Sequence, residues 1–179
     1  MLNMVELKSK TAKYIEQFCL LLLGFFLDGV IKSVFPILNR STFQVSVQIM
    51  LIILVMMILR DPHENNHLFF YSLILGILYD SYYSRIFGLY TVIFPLTVFI
   101  VQKIQDYVPE SILFEWSTYF IVLTVSLIYL YLIGSFLNLV MVDGTRFITD
   151  WLGPTLLVNS VIFLIVYFIL KKVIGWLCK

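Results

Sequence analysis

Long apolar runs, broken by short polar ones, follow one another along this chain at a spacing that suits helices crossing a membrane. The runs cover about residues 14–37, 42–59, 68–84, 87–104, 113–140 and 154–176. A crossing takes roughly 20 apolar residues at about 1.5 Å each, so the pattern predicts an all-α integral membrane protein with six transmembrane helices. They form a single polytopic domain over residues 1–179. Pro36 and the turn-prone Asn39, Arg40 and Ser41 close the first run, and the polar stretch from Arg60 to His67 closes the second. Only 12 residues separate that stretch from Asp80. They make about 18 Å of helix, so the third helix has to run on through Asp80 toward Ser84 and carry the carboxylate into or against the membrane. Pro95 inside the fourth run predicts a kink or a packed site. The fifth apolar stretch reaches Met141, longer than one crossing needs, and has to tilt, project or break near Gly134. Pro154 opens the sixth helix, with Trp151 and Trp176 as interfacial anchors.

Composition agrees with the pattern. Hydrophobic residues make up 61% of the 179 positions and charged residues only 13%, against about 45–50% and about 25% in soluble domains. A net charge of +1 gives no field for nucleic acid. Cys19 lies in an apolar run and Cys178 is next to last, so neither suggests a disulfide framework or a metal site. The first apolar run follows a stretch that mixes Glu6 with lysines and holds Asp28, which reads as a retained helix rather than a signal peptide. With the N-terminus in the cytoplasm, Lys32, Arg40, Arg85 and Arg146 fall outside and the other eight of the 12 cations inside. That satisfies the positive-inside rule and puts both termini in the cytoplasm.

Two carboxylates stand where lipid is expected, and an aspartate at mid-bilayer costs about 2.5–3.5 kcal/mol on insertion scales. Asp28 follows Gly24 by one turn, and Asp80 follows Gly76 by one turn, so each pair shares a helix face. The glycine admits a close neighbour and the carboxylate beside it can accept that neighbour's hydrogen bonds. An ion pair with Lys32 is the simpler account of Asp28; a pair with Arg85, or a cap of the turn before Phe87, is the simpler account of Asp80. The repeated spacing, 52 residues apart, is compatible with a duplicated helix pair, on two letters per match.

Gln44 and Gln48, with Ser46 between them, read as one polar face of the second helix, better explained by a hydrogen bond between helices than by a cavity. Tyr79, Tyr82, Tyr83 and Tyr90 read as an aromatic belt at the outer interface. His63 and His67 flank Glu64 at a metal-like spacing, but Pro62 and Asn65-Asn66 favour a solvated loop, and no third ligand lies nearby. No catalytic, metal, cofactor or nucleotide motif is present, and an intramembrane aspartyl enzyme built on Asp28 and Asp80 ranks last among the readings.

The stretch Leu59-Arg60-Asp61-Pro62-His63-Glu64, then Gly76-Ile77-Leu78-Tyr79-Asp80-Ser81-Tyr82-Tyr83 and Gly88-Leu89-Tyr90, resembles the rod shape-determining protein MreD family. Its members share a cytoplasmic Arg-x-x-x-Glu-type loop, a G-x-x-x-D helix and a Gly-Leu start to the next helix. The pair Asp28-Gly29 in an early helix adds to the likeness. The chain departs from the family in having Asn65 after the loop glutamate. The resemblance implies a non-enzymatic scaffold of the bacterial cell-elongation machinery, in the plasma membrane. It implies binding to MreC, and through MreC to the MreB filament, RodA and a class B penicillin-binding protein. Gly24, Asp28, Gly76, Asp80 and Gly88 are then the residues expected at a partner interface or in a structural role. The family is also similar in architecture to the substrate-binding subunits of energy-coupling-factor vitamin transporters, which supplies the rival reading. Those subunits dock through alanine-x-x-x-alanine faces, and the single alanine here, Ala12, precedes the membrane segment.

Overall fold

The computed structural model describes residues 2–34, 39–40, 43–60, 66–84, 86–139 and 142–177. Helix α1 (Leu2–Val34) leads into a two-stranded antiparallel turn, β1 (Asn39–Arg40) and β2 (Phe43–Gln44), in which Asn39 faces Gln44 and Arg40 faces Phe43. Then come α2 (Ile49–Arg60), α3 (Asn66–Tyr82), α4 (Leu89–Ile104) and α5 (Ile112–Phe136). A helical turn, α6 (Gly144–Arg146), and a π-helical segment, Phe147–Leu152, run without a break into α7 (Gly153–Leu177). Among the described residues three helical stretches are long and apolar enough to cross a membrane: Ala12–Val34, Ile112–Phe136 and Gly144–Leu177.

The second apolar run departs from its expected form. A helix over about 42–59 was predicted, but the helix begins only at Ile49, and residues 45–48, which follow strand β2, belong to neither helix nor strand. The reason lies in the local pattern. Phe43 to Gln48 alternates apolar and polar residues, a period of two that suits a strand rather than a helix. Four extended residues add about 13 Å and 12 helical ones about 18 Å, so together they cover a hydrocarbon core of about 30 Å.

Helix α2 is the axis of the molecule. Every residue from Ile49 to Ile58 is buried, as its uniformly apolar sequence requires. It touches α1, α3, α4, α5 and α7, which enclose it. Lipid is as apolar as these side chains, so burial alone drives little, and close packing with polar contacts has to hold the bundle. The outward faces of α1, α5 and α7 present Phe26, Ile121, Leu157 and Phe168, all exposed and apolar. On a membrane protein such faces meet acyl chains.

Helix α1 begins at Leu2, 12 residues before the expected start of the first crossing, while α3, α4 and α7 lie within two residues of the expected bounds. Helix α5 ends two residues after Gly134, the place where a break was expected as one alternative to tilting or projecting. Pro95 is buried inside α4 and withholds the N–H that would reach back to the Thr91 carbonyl. That weakens the first turn of α4 and raises the importance of whatever holds it.

Candidate functional site

Both unusual carboxylates are satisfied inside the chain. Asp28 is 4% exposed, and its Oδ1 accepts from the Ile49 amide at 2.6 Å while Oδ2 accepts from the Met50 amide at 3.3 Å. These are the first amides of α2, which have no partner within their own helix. The Tyr79 hydroxyl donates to the same carboxylate at 3.4 Å. Asp80, 1% exposed, does the same for α4. Its carboxylate accepts from the amides of Gly88 at 2.9 Å, Tyr90 at 2.9 Å and Thr91 at 3.0 Å, and from the Thr91 hydroxyl at 2.7 Å. A negative charge is favoured at a helix N-terminus by the helix dipole as well as by the hydrogen bonds.

The glycine one turn before each aspartate brings the capped helix near. A Cβ on Gly24 would stand 2.8 Å from Ile53 Cδ1 and 3.0 Å from Met50 Cα. A Cβ on Gly76 would meet Thr91 Cα at 2.7 Å and the Tyr90 carbonyl at 2.8 Å. The repeated G-x-x-x-D spacing is thus one device used twice, with the glycine admitting the next helix and the aspartate capping it. Gly88 has a different reason for being glycine. It precedes α4 with φ of 104°, and nothing crowds its missing side chain, so backbone conformation selects it.

Lys32 lies with its ammonium 5.9 Å from the centre of the Tyr83 ring, and Asp28 is engaged by amides rather than by that lysine. Arg85, His63 and Glu64 lie outside the described residues. His67 bonds through Nε2 to Gln17 at 2.7 Å and packs on Tyr14. Among the described residues no cluster of three or more His, Cys, Asp or Glu is arranged for a metal ion.

Beside the first turns of the two capped helices, a cavity of about 500 Å³ opens at one end of the bundle. Its volume falls in the range of ligand sites, about 300–1,000 Å³. Asp28, Ile31 and Lys32 of α1 form one wall, and Tyr79, Tyr83 and Tyr90 another. Leu130 and Gly134 of α5 and Trp151 of the π-helical segment complete it, with residues 44–47 along one side. The tyrosines therefore correct the belt reading. Tyr79 packs edge-on to Phe94 and against Tyr90, and only Tyr82 of the four turns outward. Trp151, expected as an interfacial anchor, faces this cavity.

Gln44 and Gln48 do not share a helix face. Gln44 is exposed and lines the cavity, while the Gln48 side chain is buried and its carboxamide group has no partner among the described residues. What holds the extended segment is α7. Ser46 donates its amide to Thr155 Oγ1 at 3.2 Å, and Gln48 donates its own to Asn159 Oδ1 at 2.9 Å. Asn159 Nδ2 returns a bond to the Ser46 carbonyl at 2.7 Å, and Thr155 Oγ1 donates to that of Gln44 at 3.3 Å.

At the other end of α2, Arg60 Nη2 donates to both carboxylate oxygens of Glu115 of α5, at 2.6 and 2.8 Å, and Tyr167 of α7 donates to the same carboxylate at 3.3 Å. Arg60, read from the sequence as part of a polar loop, is thus drawn into the bundle. Glu115, Thr155 and Asn159 were not singled out by sequence reasoning. Each is a polar residue inside a long apolar run, and that was the available signal.

A family model described as rod shape-determining protein MreD matches residues 12–175. No curated protein and no solved structure matches the chain. With nearly its whole length matched, built as a bundle of apolar helices around a capped central one, the chain belongs to the MreD family of membrane proteins that determine rod shape.

Proposed function

We propose that this chain is a non-enzymatic membrane scaffold of the cell-elongation complex, which binds MreC and through it joins MreB filaments to peptidoglycan synthesis by RodA and a class B penicillin-binding protein. Membership of a shape-determining family over residues 12–175 is the observation that carries this reading. The cavity supports a docking role, because it is walled by rigid elements and by main chain that only neighbouring protein keeps in shape.

In this reading the chain crosses six times. The crossings are α1, the extended segment with α2, then α3, α4, α5 and α7. Both termini are cytoplasmic and the cavity faces outward. The placement of cations supports that orientation: Lys13, Arg60, Lys103, Lys171 and Lys172 sit toward the end opposite the cavity. Gly24, Asp28, Gly76, Asp80 and Gly88 act structurally. They fix the first turns of α2 and α4 at the cavity rim, so a partner meets the surface they frame rather than the carboxylates themselves.

The experiment is purification in mild detergent followed by mass spectrometry of whatever accompanies the chain. MreC is the expected companion. The cavity volume favours a second reading, the substrate-binding subunit of an energy-coupling-factor transporter. A vitamin recovered with the protein in place of MreC would reverse the order of the two, although the scarcity of alanine for coupling faces weighs against it.

A further inference from the structure

The main chain of residues 44–48 has two edges, and among the described residues only one is used. Every hydrogen bond to α7 involves an even-numbered residue: the Gln44 carbonyl, the Ser46 amide and carbonyl, and the Gln48 amide. That period of two marks an extended chain, whose alternate residues direct their N–H and C=O groups to opposite sides. The main-chain groups of Val45 and Val47 therefore point away from α7. No residue of α7 lines the cavity, whereas Val45, Ser46 and Val47 do. Among the described residues neither Val45 nor Val47 has a main-chain hydrogen bond. Irregular main chain at membrane depth is tolerated where it is buried in protein or lines a cavity, and here one edge meets each condition.

We propose that the cavity takes an extended peptide segment of the docked partner, which adds as a strand along the free edge of Val45 and Val47. The proposal rests on the docking reading above and specifies how the partner is held. Strand addition supplies main-chain donors and acceptors in register, and alternate side chains of the incoming segment enter pockets. The walls are suited to that: Tyr79, Tyr90 and Trp151 offer aromatic surface, and Ile31 and Leu130 offer aliphatic surface. Lys32 at the wall favours an acidic residue in the segment.

The test uses the full chain with co-expressed MreC in nanodiscs. Amide exchange read residue by residue is expected to slow about tenfold or more at Val45 and Val47 when MreC is bound, with Ser46 and Gln48 already slow in the chain alone. Single cysteines along the extracytoplasmic juxtamembrane segment of MreC are offered to Val45→Cys, in a chain whose Cys19 and Cys178 are replaced by serine. Cross-linking is expected at every second position. Cross-linking at every third or fourth position, or unchanged exchange at Val45 and Val47 with MreC bound, overturns strand pairing and leaves docking in the cavity standing. If Ile31→Trp fills the cavity and MreC binds as before, docking in the cavity fails and strand pairing fails with it.

Discussion

The carboxylate of Asp28 on α1 meets the amide of Ile49 at the start of α2, 2.6 Å away and 21 positions on in the chain. One helix thereby caps another, and the capped helix is the buried axis of the bundle. Removing the cap leaves the amides of two buried residues without partners. Asp28→Ala is expected to lower stability by about 2 kcal/mol, the cost of losing hydrogen bonds to a charged group, and Asp28→Asn by less. Asp80→Ala is expected to cost more, since four donors converge on that carboxylate. Denaturation midpoints in mixed micelles check both, and an Asp80→Ala variant as stable as the parent would contradict the capping role.

Two glycines should fail for different reasons. Gly76→Ala drives a methyl into the backbone of α4, where nothing flexible can yield, and an overpacked contact of that kind costs about 1–3 kcal/mol. Gly88→Ala meets no atom but forces a side chain into left-handed backbone, at about 1–2 kcal/mol. Asparagine tolerates that conformation, so Gly88→Asn is expected to recover part of the loss while Gly76→Asn recovers none. Thermal midpoints of the four variants decide it.

Arg60 and Glu115 are both nearly closed to solvent, their side chains 9% and 3% exposed. Arg60→Met or Glu115→Leu alone strands a buried charge and is expected to cost about 3–5 kcal/mol. The double variant removes both charges and should lie much closer to the parent than either single one. A double-mutant cycle on the denaturation midpoint measures the coupling, and additive losses would show that the pair contributes no interaction.

Asn159 holds the extended segment by two bonds, at 2.9 Å to the Gln48 amide and 2.7 Å to the Ser46 carbonyl. Asn159→Leu keeps the bulk and deletes both. Polar contacts between membrane helices average about 0.6 kcal/mol and reach about 1.7, so global stability should fall only modestly. Local exchange at Ser46 and Gln48 should quicken by about tenfold. Exchange unchanged at those two amides would mean that α7 does not hold the segment.

Much of the fold was legible because the solvent imposes it. Apolar runs of sufficient length located α1, α3, α4, α5 and α7, and the G-x-x-x-D spacing singled out Gly24, Asp28, Gly76 and Asp80 before any contact was known. The second run was misread because its apolar content satisfied a helix template while its alternation of polar and apolar residues, Phe43 to Gln48, obeyed a strand. Composition averaged over the run concealed the change of period. Arg60 was read as a loop residue because its partner, Glu115, lies 55 positions away.

By itself the sequence determined that this protein lives in lipid, where its long apolar stretches lie, and which polar residues need a reason to be there. Those follow from transfer energies and helical spacing, which are local properties of the chain. Only the tertiary structure decided which groups satisfy those residues: the amides of α2 for Asp28, those of α4 for Asp80, and Glu115 for Arg60. In a medium without water every buried polar atom has to find its partner within protein, and that partner is chosen by packing between elements far apart in sequence.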